Sequence, residues 1–489
     1  MNARFSPRSV RLPLSLVLAC ALPLAAGAQP RLDRTLQPKA GPTPALRVPT
    51  WTRSTLANGA QLIVVEKHDL PLVAVNVDFI GGATSFEPAA KTGLASFAAL
   101  MLSEGTTSRT ADQLSDAQQM LGTTIAASVG AETGTIRFTA LKDRAEPALA
   151  LLADMLLHPT DPAPALERLR ARSLVQLTQS RDQPNAIASN VFSRVVYGDQ
   201  HPYGRVVTEQ TIRAVTRDDI VEFQKSYFRP GRAVITVAGD VDPRAARTMV
   251  ERALAEWPAG GERPTFAYGA VPVPPARTIY LVDKPKAAQS IFALGMAGPA
   301  RDTPDFFALQ VMNTLLGGLF QSRLNHDIRE VKGFSYGVNS RFDFGRGPGA
   351  FRAGGGIVSA KTDSALMAFM QHFRGVRGDV PFTDDEIRQG KESLIQSLPS
   401  RFASVNGIAA TVSSIYTQDL PESYLRDYAA NVERVTRDDL VRVARRYIDV
   451  DHMDLVIVGD RATIEGPLRA TGIGPVTVLD VDGKVVGQP

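Results

Sequence analysis

The chain has 489 residues and a formal net charge of +4, with 44% hydrophobic and 21% charged residues. At roughly 100–200 residues per domain, this length implies two or three domains, and the balance is that of a globular protein, not a disordered one. A single cysteine, Cys20, excludes a disulfide framework and any cysteine-ligated zinc or iron–sulfur centre. The six histidines, His68, His158, His201, His326, His372 and His452, are so spread that no two could form a local two-histidine zinc motif on one helix.

Residues 1–28 carry the three parts of a secretory signal. Arg4, Arg8 and Arg11 form a positive start, Leu12 to Ala26 is apolar apart from Ser15, and Ala26-Gly27-Ala28 is a cleavage site before Gln29. The expected product is a periplasmic chain. A rival reading, a lipoprotein lipidated at Cys20, fits poorly, because the apolar stretch runs on past the cysteine. Cleavage removes three arginines and takes the net charge from +4 to +1, so the basic balance belongs to the signal and points to no nucleic-acid partner. No later run is long and apolar enough to predict an integral membrane segment in the mature chain. Residues 29–50, rich in proline and polar residues, read as a flexible lead-in.

From there the chain reads as two halves. In the first, 51–256, strands are predicted at Gln61–Glu66, Leu72–Phe79 and Thr133–Ala140, and amphipathic helices at Thr110–Leu121, Arg144–Leu157 and Ala165–Gln179. The stretch 257–277 is dense in proline and glycine and reads as a linker. In the second half, 278–489, strands are predicted at Thr278–Val282, Ser290–Met296 and Arg341–Gly356, with Gly345–Gly349 as a turn. Helices are predicted at Pro304–Leu316, Asp363–Phe373 and Thr383–Leu398. Residues 215–240 align without a gap on residues 435–460, with nine identities in 26 positions. Each copy has Thr-x-Asp at a helix start (Thr216, Thr436), an amphipathic helix to Tyr227 or Tyr447, and an apolar strand ending in Gly-Asp. An offset of 220 residues is too long for a solenoid and means two homologous domains. The predicted fold is α+β: two domains, each a mixed, mainly antiparallel sheet with helices packed on one face.

Several stretches in this order carry a resemblance. Gly81-Gly82 leads to Gly93-Leu94-Ala95-Ser96-Phe97-Ala98-Ala99-Leu100-Met101 and then Glu104-Gly105-Thr106. His201-Pro202-Tyr203-Gly204 precedes the first repeat copy. Leu315-Leu316-Gly317-Gly318, Ser322-Arg323-Leu324 and Ile328–Tyr336 follow in the second half. Together they resemble the insulinase/pitrilysin family, the inverted-zincin metallopeptidases. The likeness is closest to the short two-domain bacterial members and the subunits of mitochondrial processing peptidase.

Active members of that family carry H-x-x-E-H on the helix that here spans Gly93–Ser103. Histidines at i and i+4 share one helix face and grip a zinc ion, and the glutamate beside the second activates its water. The resemblance places those positions on Ser96, Ala99 and Leu100, and the third-ligand glutamate, beyond a run like Glu167-Arg168-Leu169-Arg170, on Gln176. None can do that chemistry, so no metal is expected in this chain, and the helix is expected to pack in the core through Leu94, Phe97, Leu100 and Met101. His201 reads as a structural turn residue. A rebuilt site using Glu104, Glu167 or a remote histidine is a minor alternative.

Catalytic members also use an arginine and a tyrosine seven residues apart, from the opposite side of the chamber, to hold the substrate backbone and its developing oxyanion. Arg329 and Tyr336 match that pair in type, spacing and context. Read alone, Arg329 is a surface residue of an amphipathic helix and Tyr336 the start of a strand. The resemblance thus implies a non-catalytic subunit of a heterodimeric zinc peptidase. Zinc would sit in a partner bearing H-x-x-E-H, Arg329 and Tyr336 would reach into the partner's site, and peptides would be held partly by strand addition. The rival is a catalytically dead peptide-binding or scaffolding protein, and a lesser one an active peptidase with a relocated zinc site.

Other signals are weak. Gly355–Thr362 approaches a phosphate-binding loop but has Ala360 at a required glycine, and a strand entering a helix explains it. Gly317-Gly318 reads equally as a remnant of a mobile glycine-rich loop or as a helix turn. Leu479–Gly483 lacks the ligands of a calcium loop and reads as a hairpin turn.

Overall fold

Two six-stranded sheets, one from each half of the chain, organise the computed structural model, which describes residues 47–486. The export signal and most of the lead-in lie outside the described residues. The first sheet contains β1 (Thr52–Thr55), β2 (Gln61–Glu66), β3 (Leu72–Ile80), β4 (Ala126–Val129), β5 (Thr133–Leu141) and β6 (Ala233–Gly239), in the order β1-β2-β6-β3-β5-β4. Only the β2–β6 pairing is parallel. The second contains β7 (Thr278–Asp283), β8 (Gln289–Ala297), β9 (Ser335–Phe342), β10 (Ala350–Val358), β11 (Asp454–Gly459) and β12 (Val476–Leu479), in the order β12-β7-β11-β8-β10-β9. Here β12–β7 and β7–β11 are parallel and the rest antiparallel. Both sheets are mixed and mainly antiparallel, as the sequence pattern predicts.

The repeat is visible in atomic detail. Helices Arg217–Tyr227 and Arg437–Tyr447 each begin with a capping box: Thr216 with Asp219, and Thr436 with Asp439. Each threonine accepts from the third helical amide while the aspartate reaches back, so the first turn's free N–H groups are satisfied locally. Each helix then feeds a strand in the middle of its sheet, β6 or β11. Short edge strands β1, β4 and β12 and the helices Pro184–Tyr197 and Val405–Thr417 are additions to the predicted elements. The long strand expected over 341–356 divides into β9 and β10 about the turn at 343–349.

Helices cover one face of each sheet, and the two main cores lie there. The opposite faces are also covered, each by a helix from the other half. Along β2 the side chains alternate, Leu62 and Val64 toward the first core, Ile63 and Val65 away from it. The outward set meets Ile408, Ala409, Val412 and Ile415 of the helix Val405–Thr417. On the second sheet Val282, Ala293, Val456 and Val458 meet Ile187, Ala188, Val191 and Phe192 of the helix Pro184–Tyr197. Burial on two faces is why β6 (AVITVAG) and β11 (DLVIVG) read as near-continuous apolar runs. At about 1.5–3 kcal/mol per fully buried aliphatic side chain, Ile408, Val412 and Ile415 alone contribute on the order of 5–9 kcal/mol to this exchange. The proline-rich stretch after β6 is anchored as well: Trp257 is buried beside Phe79 and donates to the Phe228 carbonyl at 3.1 Å.

Candidate functional site

The helix Leu94–Met101 starts after Gly93, whose φ of 109° is a left-handed conformation that favours glycine. The Glu87 carboxylate accepts from the amides of Gly93 at 2.7 Å and Ala95 at 2.9 Å, at the positive end of the helix. Burial pushes the Glu87 carboxyl up, and those amides oppose the shift. Leu94, Phe97, Ala98, Ala99 and Met101 are buried, whereas Ser96 and Leu100 are exposed one turn apart. Leu100, 42% exposed, therefore does not belong to the packed stripe. It shares the outward face with Ser96 because four residues advance the helix by little more than one turn. The two histidine-equivalent positions thus share a face, occupied by a hydroxyl and an isobutyl group, and the general-base position is a buried methyl.

The helix Ala163–Ser180 packs against this one and carries Gln176 on its exposed side. The carboxylates nearby are engaged. Glu104 pairs with Arg168 at 2.7 Å, and Glu167 with Arg170 at 3.2 Å. Arg170 also donates to the carbonyls of Ile212 and Val215 at 2.6 and 2.8 Å, tying this helix to the segment before Thr216. Both carboxylates thus face arginines on the helix Ala163–Ser180 and not each other or a histidine. Among the described residues, no three His, Cys, Asp or Glu side chains converge on a point that could hold a metal ion. Ser96, Ala99, Leu100 and Gln176 do not fit zinc: they offer one neutral hydroxyl and one amide where catalytic zinc takes three nitrogen or carboxylate ligands.

The exposed face at Ser96 opens onto a cavity of about 870 Å³ between the halves, lined also by Glu87, Glu132, Tyr203, Phe344 and Arg352. Glu132, in the β4–β5 turn, clamps the halves together. It accepts from the Arg346 amide at 2.8–2.9 Å, from Tyr268 at 3.0 Å and from Tyr203. Arg346 lies in the β9–β10 turn, so the glycine-rich turn read from Gly345–Gly349 is a docking element. The Tyr203 phenol is pushed up by burial and by Glu132. His201 is buried, stacks on Tyr197 at 5.1 Å, and accepts through Nδ1 from the Tyr203 amide at 3.2 Å. Burial and Arg205 lower its pKa, so it stays neutral and serves the turn. Glu132 has no sequence signal, because it becomes a clamp only once the second half is in place.

Arg329 and Tyr336 lie elsewhere. Arg329 sits in a π-helical turn, His326–Val331, whose Ile328 is fully buried. Its guanidinium lies 4.4 Å from the Phe320 ring centre and 3.2 Å from Glu330. Tyr336 is the second residue of the edge strand β9 and is 88% exposed. Neither lines the cavity at Ser96. The free edge of β9 is blocked: Asn325 accepts from the Val338 amide at 3.1 Å, and Asn313 donates to the Ser340 carbonyl at 3.1 Å. Gly317 permits this approach, because a Cβ there would come within 2.5 Å of the Ser340 amide nitrogen. Gly317-Gly318 is thus a π-helical turn packed on a strand. The edge strand beside the Ser96 helix is β4. The phosphate-loop lookalike is the end of β10 entering the helix Thr362–Arg374. Asp480 accepts from the amides of Asp482 and Lys484 in a tight turn.

Comparison with known proteins agrees with this geometry. The family profile described as insulinase (peptidase family M16) matches residues 62–203, and the one described as peptidase M16 inactive domain matches 214–394. An uncharacterized zinc protease of Bacillus subtilis is 26% identical over 361 residues, covering 72% of this chain and 85% of that protein. One from Mycobacterium leprae is 28% identical over 347 residues, covering 70% and 77%. The crystal structure of a peptidase M16 inactive domain from Pseudomonas fluorescens matches with a TM-score of 0.76 at 25% identity, over 84% of this chain and 98% of that one. A protease from Helicobacter pylori gives 0.77 at 20% identity, over 84% and 100%. Among the described residues no helix is long and apolar enough to cross a membrane.

Proposed function

Because the chain belongs to the insulinase family of peptidases, M16, we propose that it is the non-catalytic subunit of a zinc peptidase of that family, acting in the periplasm. One contrast carries the reading. The four positions that would bind metal and move a proton hold Ser96, Ala99, Leu100 and Gln176, while Arg329 and Tyr336 stand away from that cavity with the tyrosine almost fully exposed. An arginine and a phenol donor brought to a peptide carbonyl on another chain would stabilise its developing negative charge. Zinc and the general base would belong to a partner subunit bearing H-x-x-E-H. The stacking of Arg329 on Phe320 holds the cation in place at modest entropic cost. Peptides would add to the open edge at β4.

The test is purification of the tagged mature chain from its native compartment, followed by turnover of the complex. The expected companion is a chain of similar size with H-x-x-E-H and one zinc. Arg329→Ala should then lower kcat of the complex by about 100-fold, the scale of removing one oxyanion donor, with the subunits still paired. Turnover unchanged in Arg329→Ala would end the shared-site reading. The cavity of about 870 Å³ at Ser96 supports a second reading, a peptide-binding protein with no part in hydrolysis, which recovery of the chain without a peptidase companion would favour.

A further inference from the structure

A second cavity, of about 610 Å³, lies along the same seam. It shares Glu132, Thr133, Phe344 and Gly345 with the first but is lined by none of Ser96, Ala99, Leu100, Gln176, Arg329 and Tyr336. Arg301 stands in its wall, held by its own amide, which donates to the Gly345 carbonyl at 2.7 Å. The guanidinium carbon lies 3.4 Å from the Phe306 ring centre and 5.2 Å from that of Tyr424. Stacking on Phe306 leaves the in-plane N–H donors to other partners, and the Tyr424 hydroxyl takes one of them. The ionisable groups that face it are two phenols, Tyr424 and Tyr428, with no carboxylate among them. A second cation, Arg401, acts on the same phenols.

Burial disfavours the charge on Arg301, but an arginine does not lose its proton in a protein. The Phe306 ring and the Tyr424 hydroxyl offset part of the cost of drawing this cation out of water. The remaining deficit is what a bidentate carboxylate would relieve. Five aromatic rings stand in an otherwise mainly polar wall, among them Phe307 and Phe344; Phe306 packs on Phe344 at 4.8 Å, and Phe307 is backed by Tyr428 at 5.5 Å. Asp302, Asp419 and Asp427 also line the cavity. Asp419 is committed to Arg263 and Arg346, both at 2.6 Å. None of the three is among the charges acting on Arg301. They oppose a polyanion such as a nucleotide and leave one place for one negative charge.

The geometry points to a binding site for a single carboxylate carried on an apolar or aromatic group, bidentate on Arg301 with the apolar part against Phe307, Phe344 and Leu420. Two sources have this chemistry: the C-terminus of a peptide ending in an apolar residue, and a free aromatic or aliphatic acid. The first suits a chain that handles peptides, and that choice rests on the reading above. The carboxylate site itself does not.

Titration calorimetry on the purified mature chain separates these. The probes are acetyl-Ala-Ala-Phe with a free carboxylate, the same peptide as its C-terminal amide, and 3-phenylpropionate. The acid peptide should bind, the amide at least tenfold more weakly, and Arg301→Gln should weaken the acid at least tenfold. Gln418→Trp, which adds bulk at an exposed position in the cavity wall, should also abolish binding and serves if Arg301→Gln fails to fold. Binding of 3-phenylpropionate without the peptide keeps the carboxylate site and assigns it to free acids, leaving the subunit reading untouched. Equal affinity for acid and amide overturns the site. So does failure of all three probes at millimolar concentration, or unchanged binding in either folded variant.

Discussion

Replacing Asp454 by asparagine should make the protein more stable above neutral pH and change it less in acid. Asp454 opens β11 and is 3% exposed, with Oδ1 lacking any partner. Burial pushes its carboxyl up to about 7 from an ordinary 3.8, and the Tyr280 hydroxyl beside it opposes the shift only in part. Below about pH 4 both the folded and unfolded chains hold the proton, and the group is neutral in each. As pH rises to about 7 the unfolded chain has lost a proton that the folded chain keeps, so stability falls. At about 1.4 kcal/mol per unit, the loss relative to acid is about 2 kcal/mol at pH 5 and about 4 kcal/mol at pH 8. Asparagine does not titrate, so its own cost, about 1–2 kcal/mol for an unpaired amide donor, is the same at both pH values. The variant's advantage should therefore grow by about 2 kcal/mol between pH 5 and pH 8. Urea unfolding of wild type and variant at the two pH values measures it. An advantage that is equal at both, or larger at pH 5, would refute the assignment of the buried charge to Asp454.

Other perturbations follow from the contacts described. Glu132→Ala orphans the Arg346 amide and two phenols, and at about 1.5–3 kcal/mol per charged hydrogen bond should cost at least about 3 kcal/mol; calorimetric melting reads the loss, and limited proteolysis should cut the 343–349 turn sooner. Gly317→Ala forces a methyl onto the Ser340 backbone and should cost about 1–3 kcal/mol, seen as a lower Tm and faster hydrogen exchange at the Ser340 amide. An unchanged Tm in that variant would mean the turn at Gly317 yields freely, contrary to its packing on β9.

What could be read in the sequence was local. The Thr-x-Asp runs at Thr216 and Thr436 announce two helix starts, and the strands after them are apolar throughout, so the duplication and the sheets were legible. Four-residue strands such as β4 have too few alternations to stand out. The helices Pro184–Tyr197 and Val405–Thr417 bury much of their surface, yet an apolar helix face does not say which sheet it meets. The same limit applies at the site. Ser96, Ala99, Leu100 and Gln176 were recognisable as positions, but burial separates them: Leu100 turns outward and Ala99 inward. Glu132 acquires its role from Tyr203, Tyr268 and Arg346, and Arg301 in part from Tyr424, all far away in the chain.

The helix exchange constrains how the molecule comes into being. The outer face of the first sheet, built on strands that begin at residue 61, waits for a helix that ends at residue 417. Contacts of such sequence separation form late and slowly, because loop closure must precede any gain from them. Until about five-sixths of the chain is available, a broad face of Ile63, Val65, Val234 and their neighbours is bare and open to aggregation. A chain that crosses a membrane unfolded would begin this search on the far side, with both halves present at once. Division at the proline-rich stretch would leave each fragment with one naked sheet, and the fragments would depend on each other to fold.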